Sequence, residues 1–98
     1  MILVREQFQV KFGKMKEALG LVKEMGKIMK AQGDEFGRIC TDLTGSFYTL
    51  VFESTFSSMG DFDRREGNVS QNKEWKEWYA KFVPLIESGR REIFTIVE

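Results

Sequence analysis

Residues 74–96, EWKEWYAKFVPLIESGRREIFTI, predict an aromatic helix followed by a strand. Large apolar side chains recur there every three or four positions, which places them on one buried helix face: Trp75, Trp78, Tyr79, Phe82, Val83 and Ile86. Pro84 removes a backbone donor, so we expect a break and one more turn over residues 84–87, ended by Gly89 as a left-handed cap. From Arg90 the side chains alternate with a period of two, as in a strand.

The N-terminal residues alternate in the same way and predict a first strand over residues 2–11. One face of this strand is apolar except for Glu6, which interrupts the row. The other face is mostly polar and carries Arg5, Gln7 and Gln9. The first strand should therefore present one side to a core and an unusually polar side away from it.

The middle of the chain predicts a helix and a hairpin. Apolar residues trace a helical stripe over residues 14–32, and Gly33 is expected to end that helix. Two extended segments follow at residues 36–43 and 46–54, joined by a short turn at Thr44-Gly45. The second segment is apolar on both sides through its middle, which indicates a central strand covered on both faces.

A second helical region begins near Ser58, which is a predicted N-cap. Gly67-Asn68 is expected to interrupt this helix, and Ser70 or Asn72 to cap a segment that leads into the tryptophan helix. The inward side chains would be Met59 and Phe62, and the outward ones mostly Asp61, Asp63, Arg64, Arg65 and Glu66.

The order strand, helix, strand, strand, helix, strand predicts an α+β protein of the ferredoxin-like βαββαβ type. Residues 1–98 would form one domain, with a four-stranded antiparallel sheet and both helices on one face. The bare face would expose a large apolar patch containing Tyr48 or Phe47, Leu50 or Val51, and Phe94 or Ile93. We therefore expect a homodimer in which two sheets meet face to face, a dimeric α/β barrel, with polar side chains lining a partly hydrated cavity.

Composition excludes several classes of function. The 15 basic and 15 acidic residues balance, which argues against a nucleic-acid partner. A single cysteine, Cys40, cannot form an intrachain disulfide, and no apolar run reaches the ~18–20 residues of a membrane span, so we expect a cytoplasmic protein. The chain has no histidine and no glycine-rich phosphate motif, so neither a metal nor a cofactor is predicted.

Aromatic and polar residues suggest a small-molecule ligand. Trp75 and Trp78 could stack on a flat aromatic molecule, although an aromatic helical stripe is more often part of a core. Arg91 could hold an anion, although a solvated or paired arginine is the commoner case. The candidate ligand-binding residues are Arg5, Gln7, Tyr48, Asn72, Trp75, Trp78 and Arg91.

The second half of the chain resembles the NIPSNAP family. The matching residues are Arg64-Arg65-Glu66, Glu74-Trp75, Trp78, Lys81 and Pro84-Leu85-Ile86-Glu87-Ser88. Val10 with Gly13-Lys14 also resembles the family's first strand leading into a helix, although Phe12 stands where a proline is usual. The resemblance implies a dimeric α/β barrel and little about chemistry.

A looser similarity, of fold alone, links the chain to the antibiotic-biosynthesis monooxygenases. These are small dimeric barrels that oxidise polycyclic phenols without metal or flavin, and the similarity implies that Asn72, Trp75 and Arg91 would hold a substrate anion. Three hypotheses remain open: a protein that binds a small apolar or aromatic molecule, a cofactor-independent monooxygenase or isomerase, and an interaction module without a ligand.

Overall fold

The computed structural model describes residues 1–35 and 37–97. It contains β1 (Ile2–Val10), α1 (Met15–Ala31), β2 (Arg38–Thr41), β3 (Thr49–Phe56), α2 (Met59–Ser70), α3 (Lys73–Phe82), a 3-10 turn (Val83–Leu85) and β4 (Ile86–Thr95). The strands form one antiparallel sheet in the order β2-β3-β1-β4. The predicted ferredoxin-like α+β fold is therefore confirmed. None of the helices in the described ranges is long and apolar enough to cross a membrane.

The core lies between the helices and one face of the sheet. Apolar residues of β1 and β3 point to this face because side chains alternate along a strand. The buried cluster consists of Val10, Ala18, Val22, Met25, Met29, Leu50, Phe52, Val69, Trp78, Phe82 and Leu85. The inward row predicted for β1 is confirmed at Val4 and Val10, both of which are buried.

Side-chain caps mark both the start of the second helical region and the point where it divides into α2 and α3. The Ser58 hydroxyl accepts a hydrogen bond from the backbone N–H of Asp61 at 3.2 Å, which confirms the predicted cap of α2. The predicted interruption at Gly67-Asn68 is wrong, because α2 continues through both residues. The break comes later, where Asn72 accepts from the backbone N–H of Trp75 at 3.0 Å and starts α3.

Two side chains of α2 differ from the predicted faces. Met59 is 46% exposed because it occupies the first turn, beyond the edge of the core. Arg65 was expected to point outward but is buried, because it lies against the Phe56 ring of β3. Phe62 is buried as predicted.

The end of α3 corrects a further prediction. Pro84 terminates the helix, but the next turn is the 3-10 turn at Val83–Leu85, and β4 already begins at Ile86. Gly89 lies inside β4 opposite Phe8 and is not a left-handed cap. A Cβ atom at Gly89 would lie 2.8 Å from Cδ1 of Phe8, so a glycine is needed here because a ring packs directly on the backbone.

Replacing Gly89 with alanine is expected to displace the Phe8 ring and lower the free energy of unfolding by about 1–3 kcal/mol. Urea unfolding at fixed protein concentration would measure the change. Gly20→Ala is the matched control, because nothing lies within 4 Å of a Cβ at this helical position. That variant should be neutral or more stable, by up to about 1 kcal/mol. Equal stabilisation by both substitutions would contradict the contact between Gly89 and Phe8.

The hairpin strands are shorter than predicted, and the second is shifted toward the C-terminus. The strands occupy Arg38–Thr41 and Thr49–Phe56, because residues 42–48 form a loop that Asp42 closes by accepting from the backbone N–H of Thr49 at 2.8 Å. Tyr48 lies in this loop with a φ of 55°. Phe36, the first residue of the predicted strand, lies outside the described residues.

The helix-free face of the sheet carries a row of charged side chains beside the predicted apolar residues Val51 and Phe94. Strand register aligns one residue from each strand in a row across this face, Arg38, Glu53, Arg5 and Glu92, with alternating sign. Nη2 of Arg38 lies 2.6 Å from Oε1 of Glu53, and Nε of Arg5 lies 3.4 Å from Oε2 of the same carboxylate. We call these four residues the charge row.

Strand register decides between the alternatives given for the apolar residues of this face. Val51 pairs with Gln7 and Phe94 with Leu3, so both lie on the charged, helix-free face. The alternatives considered with them, Leu50 and Ile93, pair with residues of the opposite row and face the helices. One member of each of these two pairs therefore lies on the helix-free face, as predicted, because successive side chains along a strand point to opposite faces.

Candidate functional site

A cleft opens between the helix-facing side of the sheet and helices α2 and α3. Its deep part has a volume of about 280 Å³ and is lined by Phe8, Phe52, Trp75 and Trp78 among others. A more open part of about 380 Å³ continues between the end of α3 and β4. The two parts share Glu6, Phe8, Tyr79, Phe82 and Arg91. Together they make a concave site of the size and apolar character that small ligands occupy.

Stacked aromatic rings form the α3 wall of this cleft. The rings of Trp75 and Tyr79 stack with centroids 4.9 Å apart, and those of Trp78 and Phe82 stack at 4.8 Å. Trp78 also donates its indole N–H to the backbone oxygen of Leu21, which ties α3 to α1. The geometry follows from helical spacing, since residues three and four apart share a face.

The burial predicted for this helix face is only partly confirmed. Trp78 and Phe82 are buried, whereas Tyr79 is 48% exposed and Val83 is 47% exposed. Both exposed residues line the open part of the cleft, where the last turns of α3 lead into the 3-10 turn. Part of the aromatic stripe therefore faces a cavity instead of the core.

Two arginines and two glutamates meet beside the aromatic wall. Oε2 of Glu6 accepts hydrogen bonds from Nε and Nη2 of Arg91 at 3.1 and 2.7 Å. Nη2 of Arg91 also lies 3.8 Å from Oε2 of Glu66, whose other oxygen is 3.5 Å from Nη2 of Arg65. We call these four residues the charge cluster. Formal charges cancel within it.

The Arg91 guanidinium stays protonated in this cluster. Burial lowers the pKa of Arg91, but its hydrogen bond to Glu6 and the charges of Glu6 and Glu66 outweigh that effect and leave the pKa above its usual value. Its Cζ also lies 5.2 Å from the centre of the Phe62 ring. Arg91 is therefore a fixed cation at the edge of the cleft.

Arg65 is held differently from Arg91. It is 9% exposed, and its Cζ lies 4.5 Å from the centre of the Phe56 ring. Its Nε is buried and has no hydrogen-bond partner within residues 1–35 and 37–97. The cleft is thus lined by a buried arginine with one donor unused.

Of the residues predicted from the sequence, three come together in the cleft: Trp75, Trp78 and Arg91. Arg5 and Gln7 lie on the opposite face of the sheet. Tyr48 packs against Phe12 in the loop before β3.

Asn72, the remaining predicted residue, uses its side-chain oxygen as the cap of α3. Sequence reasoning missed four site residues, namely Glu6, Arg65, Glu66 and Tyr79. Only Glu6 carried a visible signal, because a carboxylate in an otherwise apolar strand row needs a partner when that row is covered.

Chemically, the site offers flat apolar surfaces beside fixed hydrogen-bond donors. Such an arrangement can hold a small ring system and orient an oxygen atom on it. No group of three or more acidic, cysteine or histidine side chains placed to hold a metal ion occurs in the part of the chain that the structure describes.

The sheet topology and the cleft beneath the helices define a ferredoxin-like α+β protein. Within this class, the fold is that of a NIPSNAP family protein from Agrobacterium tumefaciens, with a TM-score of 0.89 and 22% identity over 99% of this chain and 86% of that one. An uncharacterized NIPSNAP domain protein from Burkholderia xenovorans gives 0.88 and 15%, covering 99% and 95%. The resemblance noted in the sequence is confirmed at the level of fold.

A provisionally assigned antibiotic biosynthesis monooxygenase from Nitrosomonas europaea shares the fold less closely. Its TM-score is 0.76 at 11% identity, with all of both chains covered. No protein-family model and no curated protein matches the chain. At these identities the comparisons establish the architecture, and the activity has to be argued from the cleft itself.

Proposed function

We propose that this protein binds a small aromatic or apolar molecule in the cleft between α3 and the sheet. The observation that carries the proposal is the open aromatic wall, in which Trp75 and Tyr79 stack on each other and Tyr79 remains half exposed to a concave space. Tyr79 keeps about half of its surface exposed although it stacks on Trp75, and an exposed aromatic ring inside a cleft is complementary to a flat ligand.

We also propose that the protein is a homodimer joined through the helix-free face of the sheet. The charge row supports this because it is self-complementary. A two-fold axis parallel to the strands would place β2 of one chain opposite β4 of the other, and β3 opposite β1. Arg38 would then oppose Glu92 of the other chain, and Glu53 would oppose Arg5, so each charge meets its opposite.

The expected cytoplasmic location stays a prediction.

Saturable binding of neutral 2-naphthol, followed by tryptophan fluorescence and by calorimetry, is the expected result for the wild-type protein. Tyr79→Ala should weaken this binding about 3- to 10-fold, because it removes one stacked ring from the wall. Phe47→Ala is the matched control, since Phe47 is an exposed aromatic residue outside the cleft. Absence of saturable binding, or an equal loss in both variants, would contradict the proposed function.

The second candidate function is a cofactor-independent monooxygenase. It is favoured by Trp75 and Arg91, which line one cleft, and by the fold shared with the Nitrosomonas europaea protein. Against it, Asn72 serves as the cap of α3 and is not among the described residues that line the cleft beside Trp75 and Arg91. Oxygen uptake in the presence of hydroxylated polycyclic aromatics tests this candidate. Uptake no faster than in buffer alone would remove it.

The third hypothesis, an interaction module without a ligand, would be favoured if the protein neither binds nor turns over such molecules.

A further inference from the structure

One carboxylate oxygen of Glu6 is left free beside the cleft. Both hydrogen bonds that Glu6 accepts, from Nε and Nη2 of Arg91, end on Oε2, and Oε1 accepts none from residues 1–35 and 37–97. Since Glu6 is not among the residues with a buried, unpartnered polar atom, Oε1 is in contact with solvent. Glu6 lines both parts of the cleft. Its Oε1 is therefore an acceptor open to a molecule bound there.

Arg91 places an unused donor beside this oxygen. Its bonds to Glu6 use Nε and Nη2, and Nη1 donates to no residue in the part of the chain that the structure describes. The Arg91 side chain is 45% exposed and lines both parts of the cleft. Strand register pairs Glu6 directly with Arg91, and the two hydrogen bonds between them hold the side chains together. The free acceptor and the free donor therefore have fixed relative positions.

The charge balance of the site favours an uncharged molecule. Glu6 and Glu66 compensate Arg65 and Arg91 within the charge cluster, so an ionic group brought into the cleft would leave one charge unpaired in a partly buried place. An uncharged N–H and an uncharged oxygen can instead meet Oε1 of Glu6 and Nη1 of Arg91 without changing the balance. Each would form a hydrogen bond to a charged group, which is stronger than one between two neutral groups.

We infer that the molecule bound in the cleft is a neutral ring system that carries an N–H next to a carbonyl, as a lactam does. The N–H would donate to Oε1 of Glu6, and the carbonyl oxygen would accept from Nη1 of Arg91. The rings would lie against the wall formed by Trp75 and Tyr79. Glu6 and Arg91 would then determine which flat molecules bind. The inference deepens the proposed function and rests on it.

Two probes of the same shape test the inference without any substitution. Coumarin has the fused rings and the carbonyl of 2-quinolinone, but a ring oxygen replaces the N–H. We expect calorimetry at pH 7 to show that 2-quinolinone binds at least about tenfold more tightly, because the ring oxygen of coumarin would face the Glu6 carboxylate without a proton between them.

The outcomes separate this inference from the proposed function. Equal affinities for the two probes, or tighter binding of coumarin, would overturn the inference and leave the aromatic site standing. Binding of 2-naphthol without binding of either probe would do the same. Failure of all three molecules to bind would instead remove the proposed function itself.

A matched pair of variants then assigns the preference to Glu6. In Glu6→Gln the amide oxygen can keep the hydrogen bonds from Arg91, which leaves the amide nitrogen, a donor, in the place of Oε1. We expect the preference for 2-quinolinone over coumarin to be lost in this variant. Glu77→Gln should keep it, because Glu77 carries the same charge on the exposed side of α3, outside both parts of the cleft.

A preference that survives in Glu6→Gln, or is lost in both variants, would overturn the inference. Thermal unfolding checks that both variants keep the fold. If Glu6→Gln does not fold, the comparison of the two probes on the wild type decides.

Discussion

Trp78→Ala is expected to lower the free energy of unfolding by about 3–5 kcal/mol, the range for removing a buried aromatic side chain. Trp78 is 4% exposed, stacks on Phe82, and donates its indole N–H to the backbone of Leu21. Its loss would leave a cavity and remove the bond between α3 and α1. Small domains have only about 5–15 kcal/mol of total stability, so the variant should be partly unfolded at modest temperature.

Urea unfolding at a fixed protein concentration would measure this effect, because a ligand or a second subunit would make the midpoint concentration-dependent. Trp75→Ala is the matched control on the same helix, since Trp75 is half-buried and has no side-chain bond to α1. Its loss should be clearly smaller. Comparable losses in the two variants would mean that the core does not centre on Trp78 and that the boundary between core and cleft is misplaced.

Glu53→Lys should have the largest effect on assembly. The substitution places a cation between Arg5 and Arg38, which now share the Glu53 carboxylate at 3.4 and 2.6 Å. In the proposed dimer it would also set this cation opposite Arg5 of the other chain. Like charges brought together at an interface cost several kcal/mol, and each 1.4 kcal/mol is tenfold, so the dissociation constant should rise about 100-fold or more.

Light scattering or sedimentation at micromolar concentration measures the outcome. The wild type should be a dimer and Glu53→Lys a monomer, whereas Glu77→Lys should remain dimeric. Glu77 is the matched control because it carries the same charge on the exposed side of α3. A monomeric wild type would remove the proposed homodimer, and dissociation of both variants would show that net charge, and not the charge row, controls assembly.

Local signals in the sequence accounted for most of the elements. The caps at Ser58 and Asn72 and the stop at Gly33 each depend on contacts within a few residues. Alternation along β1 separated the core side from the polar side for the same reason. Predictions of where an element ends were wrong where a tertiary contact, and not a local signal, explains the residue. Gly89 was predicted to cap a helix, but a glycine is needed there because the Phe8 ring of a neighbouring strand packs against it.

The site was less accessible to sequence reasoning because its partners are distant in the chain. Glu6 and Arg91 are 85 positions apart and meet only because β1 and β4 pair in one register. In the sequence, Arg65 is one of several charged residues on a helix. It is buried because its guanidinium packs on the ring of Phe56, at the end of β3. Neither relation is encoded in spacing along the chain.

The sequence by itself determined the order of strands and helices, the apolar side of β1, and the absence of imidazole chemistry, because periodicity, capping and composition are properties of neighbouring residues. Tertiary structure alone decided that Tyr79 faces a cleft, that Arg65 is buried beside it, and that the bare sheet face carries alternating charges. Strand register and helix packing bring remote residues together, and a side chain acquires its partners only when those elements are assembled.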